Sequence, residues 1–252
     1  MKTDYVYGLH VVDSLLRNQP DRVLEIWLQE GREDESVDKI KSLAKAQGLS
    51  IQRTDRKTLD QITNHAVHQG AVARMQVKAL PGEHELEALL ESIGVPAFLL
   101  FLDGIQDPQN LGACIRTAEA AGVQAVIFQK DRSATLTAVA RKAGAGAAER
   151  LPVFQVGNLA RSIETVKKAG VWVVGAAGRG DKSLYEIDMN GPLAIVMGAE
   201  GTGLRSRIQG LCDHLVAIPM QDETESLNVS VATGVMLYEA RRQRHLGQFG
   251  PG

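Results

Sequence analysis

Residues 193–207 read "LAIVMGAEGTGLRSR": an apolar run, a glycine turn that carries one carboxylate, and the start of a helix. The apolar run does not alternate, which is what a strand covered on both faces of a parallel sheet requires. The same pattern recurs on either side of it. "AFLLFLD" (97–103), "AVIF" (125–128), "VWVVGAAG" (171–178) and "HLVAIPM" (214–220) are further short apolar runs. Helical stretches separate them: "NLGACIRTAEAAG" (110–122), "LTAVARKAGAGAAE" (136–149), "LARSIETVKKAG" (159–170) and "LRSRIQGLC" (204–212), with a last helix after residue 226. An α/β domain from about Pro96 to the end of the chain follows, with ligands expected beyond the carboxyl ends of its strands.

Residues 1–77 form a separate, smaller α/β unit. "GLHVVDSLL" has helical spacing, "VLEIWLQE" reads as a strand, and "DESVDKIKSLAKAQG" is an amphipathic helix stopped by Gly48. "LSIQRTD" and "GAVARMQV" supply two more strands. Residues 78–95, with Pro81 and Gly82, read as a linker.

At 252 residues, 44% hydrophobic and 23% charged, the composition is that of a globular protein. No apolar run is long enough to cross a bilayer and no leader is present, so a soluble cytoplasmic protein is expected, with no membrane partner. Cys114 and Cys212 lie far apart, His65 and His68 lack a third ligand, and no metal is expected. The net charge of -2 is neutral on nucleic-acid binding, because basic "EARRQRH" (239–245) is offset by acidic "EGREDES" and "GEHELEALLES".

Three loops hold unusual contents. In "LDGIQDPQNLGACIRTAEAAGV" (102–123), Asn110 is placed to cap a helix and Arg116 lies within that helix, where pairing with Glu119 is its ordinary use. In the opening stretch the glycine spacing matches neither dinucleotide nor Walker pattern, and Glu200 would repel a pyrophosphate. Backbone freed by Gly198, Gly201 and Gly203 suits a neutral or cationic ligand, while a tight turn with Glu200 near a helix N-terminus is equally compatible. The third loop, "IPMQDETESLNVSVATGVMLYEA" (218–240), puts Ser226 and Asn228 at the start of a helix apolar on most sides. Either could be its N-cap, and the apolar sides point to burial against its own sheet and against a second subunit.

Together and in this order, "DPQNLGACIRTAEAAG", "VMGAEGTGL" and "IPMQDETESLNVSVATGVMLYEA" resemble the three motifs of the SpoU-type RNA ribose methyltransferases of the SPOUT, or α/β-knot, superfamily. The first unit, with "YVYGLHVVDSLL" and "HQGAVARM", resembles the RNA-binding domain that precedes this catalytic domain, itself similar to a ribosomal L30-type fold. The resemblance implies an α/β trefoil-knot methyltransferase domain over 96–252 and a homodimer packed through the knot. It implies S-adenosyl-L-methionine as methyl donor. The acceptor it implies is a guanosine ribose 2'-hydroxyl of 23S rRNA, with another rRNA or tRNA site as the alternative.

Carried over to matching positions, the resemblance makes Arg116 the catalytic arginine, surrounded by Asn110, Glu200, Ser226 and Asn228. Ala177, Gly178, Gly198, Ile218, Met220 and Leu227 would hold the donor. A guanidinium rarely loses its proton, so a phosphate-binding and charge-stabilising role fits Arg116 better than that of a base. Two other readings compete. A non-catalytic, ribosome-associated RNA-binding protein would need only the first unit. A nucleotide-dependent dehydrogenase would use Asp222 as its ribose-binding acid, about 20 residues beyond the glycine turn, but its fingerprint should open the domain rather than come late.

Overall fold

The computed structural model describes residues 3–93, 96–131, 133–178, 180–221 and 226–245; Asp222 lies outside them. In chain order the elements are β1 (Thr3–Tyr7), α1 (Leu9–Asn18), β2 (Val23–Gln29), α2 (Glu35–Ala46), β3 (Ile51–Thr54), α3 (Arg56–Ile62) and β4 (Ala71–Gln76). Then come α4 (Glu83–Ser92), β5 (Phe98–Asp103), α5 (Pro108–Ala121), β6 (Ala125–Gln129), α6 (Ala138–Ala143), β7 (Val153–Val156) and α7 (Leu159–Lys168). The last are β8 (Trp172–Ala176), β9 (Lys182–Ser183), β10 (Leu193–Gly198), α8 (Ser206–Gln209), β11 (His214–Ala217) and α9 (Val229–His245). Two compact units result: residues up to Ala79 with Leu136–Arg150, and Leu80–Thr135 with the chain from Leu151 onward.

In the first unit a four-stranded sheet runs β1-β4-β2-β3, antiparallel except for the β2–β3 pair. Asp34 starts α2 by accepting from the Ser36 and Val37 amides, both at 3.0 Å. From there Val37, Ile40 and Ala44 recur at helical spacing and are buried with Leu15 and Leu16 of α1 on Ile26, Leu28 and Ala73 of the sheet. Burying each Leu or Ile of this kind contributes about 1.5–3 kcal/mol. His68 is buried: Nδ1 accepts from the Gly70 amide at 3.0 Å, and Nε2 lies 3.1 Å from Asp60. With Nδ1 accepting, a neutral ring carries its proton on Nε2 and donates it to Asp60. His65 is exposed, so the two histidines do not work as a pair.

Residues 136–150, which the apolar pattern runs on with the second unit, pack in the first. Ser14 Oγ of α1 donates to the Gly146 carbonyl at 2.9 Å and receives Arg150 Nη1 at 2.7 Å. The buried Arg141–Glu149 ion pair closes the same segment. Nothing in the helical spacing of this stretch distinguishes one apolar surface from another.

The second unit is a seven-stranded sheet, every neighbouring pair parallel, in the order β7-β6-β5-β10-β8-β11-β9. All six residues of β5 are buried, as the unbroken apolar run requires. The chain builds outward from β5 through β6 to β7, then returns to the other side of β5. That reversal makes β5 and β10 neighbours, with Asp103 opposite Gly198 at their carboxyl ends. A switch point of this kind opens a crevice between the two following loops.

Leu86 of α4, Ile163 and Val166 of α7 and Ile208 of α8 bury Leu99, Phe101, Val173 and Val196 of this sheet. The α4 helix falls inside the stretch that Pro81 and Gly82 mark as a linker. Its Glu85 carboxylate returns to the Gly82 amide at 2.9 Å, a cap that offsets the glycine at the start. Helices α5 and α9 pack together, with Cys114 Sγ 3.5 Å from Thr233 Oγ1. Both cysteines are free, and burial pushes each thiol up to about 11, so they remain protonated and unreactive.

Candidate active site

The site is built from the loops that follow β5, β8, β10 and β11. After β10 the chain turns back so tightly that a Cβ on Gly198 would lie 2.2 Å from the Gly203 carbonyl carbon; only glycine fits. The Gly203 amide donates to the Ala199 carbonyl and the Thr202 amide to that of Glu200, both at 2.9 Å. Glu200 is thereby held at the tip of the turn. The far end is fixed by Asp103, buried at the end of β5, which accepts the Arg205 backbone amide at 3.0 Å and its Nε at 2.7 Å.

Glu200 meets the start of α9. Its Oε1 accepts from Asn228 Nδ2 at 2.6 Å and from the Val229 amide at 3.2 Å. The carboxylate therefore does sit at a helix N-terminus, that of α9 rather than of the α8 helix that follows the turn. Asn228 Nδ2 also donates to Asn110 Oδ1 at 3.0 Å, while Asn228 Oδ1 accepts from the Ser230 amide at 2.9 Å and its hydroxyl at 2.6 Å. One side chain thus caps α9 and ties the three loops together, and its amide orientation is set by the carboxylate on one side and the N–H groups on the other.

Asn110 does not cap its helix, as its sequence position invites. Asp107 does so, accepting the Gln109 amide at 3.0 Å, with Pro108 at the first helical position where a missing N–H costs nothing. Asn110 is left free to face Asn228.

A cavity of about 240 Å3 lies behind Glu200. Ala177, Gly178, Gly198, Ile218, Met220 and Leu227 all line it, together with Glu200 and Ser226. Met197, Val216, Val229 and Ala232 line it too; as ordinary apolar residues near strand ends or in the first turn of a helix, they carry no signal of their own in the sequence. Glu200 is the only charged residue on this wall among the described residues. A second cavity, of about 320 Å3, shares Ala199, Glu200 and Val229 with the first and adds Ile105, Gln106, Asp107, Asn110 and Thr202.

Arg116 stands apart. It is exposed on α5, lines neither cavity, and makes no hydrogen bond or ion pair with a described residue, so the pairing with Glu119 is not made. Among the described residues no group of three or more His, Cys, Asp or Glu could hold a metal ion, and no helix is long and apolar enough to cross a membrane.

The SpoU rRNA Methylase family profile matches residues 97–238, and that of the RNA 2'-O ribose methyltransferase substrate-binding domain matches residues 5–81. The chain is 53% identical over 243 residues to the 23S rRNA (guanosine-2'-O-)-methyltransferase RlmB of Shewanella oneidensis, covering 96% of this chain and 98% of that one. The corresponding protein of Escherichia coli is 47% identical over 242 residues, covering 96% and 99%. Among solved structures, the AdoMet-bound rRNA methyltransferase from Sinorhizobium meliloti superposes with a TM-score of 0.76 at 27% identity, over 97% of this chain and 88% of that one. The SpoU methyltransferase AviRb from Streptomyces viridochromogenes shares the fold, with a TM-score of 0.78 at 21% identity over 96% and 90% of the two chains.

Proposed function

Because the chain belongs to the SpoU rRNA methylase family, we propose that it transfers a methyl group from S-adenosyl-L-methionine to the ribose 2'-hydroxyl of a guanosine in 23S rRNA. Relatives about half identical over nearly their whole length carry that activity in their names. The N-terminal unit binds the RNA, and the enzyme works in the cytoplasm, where rRNA is made. The trefoil knot belongs to this reading as well.

The observation that carries the donor assignment is the wall of the first cavity. Among the described residues it combines apolar side chains, glycine backbone and a single carboxylate. Such a wall accepts an adenine ring and a cationic sulfonium while repelling a pyrophosphate, which separates this donor from a dinucleotide. Bound there, the donor supplies an electrophilic methyl group. Ala177, Gly178, Gly198, Ile218, Met220 and Leu227 hold it.

The remaining work falls to the polar residues. Glu200 lines both cavities, so a carboxylate stands where donor and acceptor meet. It accepts a hydrogen bond from the 2'-hydroxyl; as the oxygen–methyl bond forms, the sulfur–methyl bond breaks to leave a neutral thioether, and the hydroxyl proton passes to water. Asn228 and Asn110 fix that carboxylate, and Ser226 offers a hydroxyl on the same wall. Arg116 takes a phosphate beside the target ribose and stabilises the negative charge that develops, a task for a fixed guanidinium that pairs with no described residue. The homodimer forms through α9, where Val231 and Tyr238, seven residues apart on one side of the helix, are 53% and 50% exposed.

Calorimetric titration with S-adenosylmethionine and with NAD tests the donor assignment. Binding of the first and not the second is expected; binding of NAD alone would overturn it.

A further inference from the structure

The second cavity has a wall unlike that of an RNA-backbone site. Among the described residues Gln106, Asp107, Asn110, Glu200 and Thr202 supply its polar groups, with no lysine, arginine or histidine. The two carboxylates disfavour a phosphate and favour a neutral guest rich in hydrogen-bond donors. Glu200 belongs to both cavities, so the part of the guest beside it is the part next to the methyl donor.

Asp107 lines the same cavity. One oxygen of its carboxylate accepts the Gln109 amide at 3.0 Å; the other takes no hydrogen bond from a described residue. A carboxylate only accepts. Guanine is the base whose Watson–Crick edge sets two donors side by side, N1–H and the 2-amino group. Adenine and cytosine set a single amino group beside a ring acceptor, and uracil sets one imino N–H between two carbonyls.

We infer that the second cavity seats the target guanosine, flipped from its stack, with the ribose at the Glu200 end and the base edge read by Asp107. This rests on the proposed function, which names guanosine but assigns no residue to its choice. Asp107 is then a binding residue that sets specificity, besides capping α5.

Asp107→Asn and Asp107→Ser both keep an oxygen for the cap and remove the second acceptor. The variants are compared with wild type in three measurements: thermal melting with S-adenosylmethionine titration, kcat/KM on 23S rRNA from cells lacking the protein, and binding of free guanosine and inosine by saturation-transfer NMR. Inosine lacks the 2-amino group. Expected are unchanged melting and donor binding, kcat/KM lowered about five- to a hundredfold, and a wild-type preference for guanosine over inosine that both variants lose. Wild-type kcat/KM in the variants, or an undiminished preference for guanosine, would overturn the assignment. Absence of donor binding and methyl transfer in the wild type would instead overturn the proposed function.

Discussion

Asn228 carries two roles on opposite ends of one amide, and they can be separated. Its oxygen caps α9 and its nitrogen bridges Glu200 and Asn110. Asn228→Ala removes both, at a cost of about 1 kcal/mol for the cap and with a large loss of methyl transfer. Asn228→Ser restores a capping oxygen but cannot span to Glu200. Melting temperature should therefore recover in the serine variant while turnover stays low; recovery of both would reduce Asn228 to a cap. The sequence marked Ser226 and Asn228 as polar residues at a helix start and left open which one caps. Deciding between them takes the position of Glu200, 28 residues away in sequence. Asp107 was masked in a similar way: a capping carboxylate in a turn looks the same whether or not its second oxygen is in use.

At the scale of elements, the turn between β10 and α8 is held at both ends. Gly198 admits the returning backbone, and Asp103 holds Arg205 by its amide and its guanidinium. Asp103→Asn removes charge-assisted hydrogen bonds worth about 1.5–3 kcal/mol each, part of which the half-exposed Arg205 regains from water. The slackened turn should raise the dissociation constant for S-adenosylmethionine about tenfold, measured by titration of folded protein. A constant within twofold of wild type, with only the melting temperature lowered, would show that the pair stabilises the fold without shaping the pocket. The inner strands of the second unit were legible because burial on both faces leaves unbroken apolar runs such as "FLLFLD". Edge and terminal pieces were not: β1 is "TDYVY", β7 is "VFQV", β9 has two residues, and α3 and α4 are short helices rich in charge. Their places are set by tertiary partners rather than by periodicity.

At the scale of the molecule, six residues carried over as donor-binding come from three separate loops, yet they line one cavity. Pattern placed the loops at the strand ends, and the order of strands, with β8 between β10 and β11, brought them together. That order leaves no trace in local spacing. Nor does the excursion of residues 136–150 into the first unit, which depends on Gly146 meeting Ser14 across 132 positions of chain. Among the described residues the exposed guanidinium of Arg116 makes no hydrogen bond or ion pair, and Val231 and Tyr238 of α9 are half exposed; RNA phosphate and a second copy of the chain are the partners that the proposed function gives them.

The most direct test of methyl transfer to a 23S rRNA guanosine is ribose-methylation mapping of rRNA and tRNA from cells lacking the protein, with and without the gene restored. Loss of one 2'-O-methylguanosine from 23S rRNA, regained with the wild-type gene and not with Arg116→Lys, is the predicted result. A 23S rRNA pattern unchanged by the deletion, or a loss confined to tRNA, would contradict it.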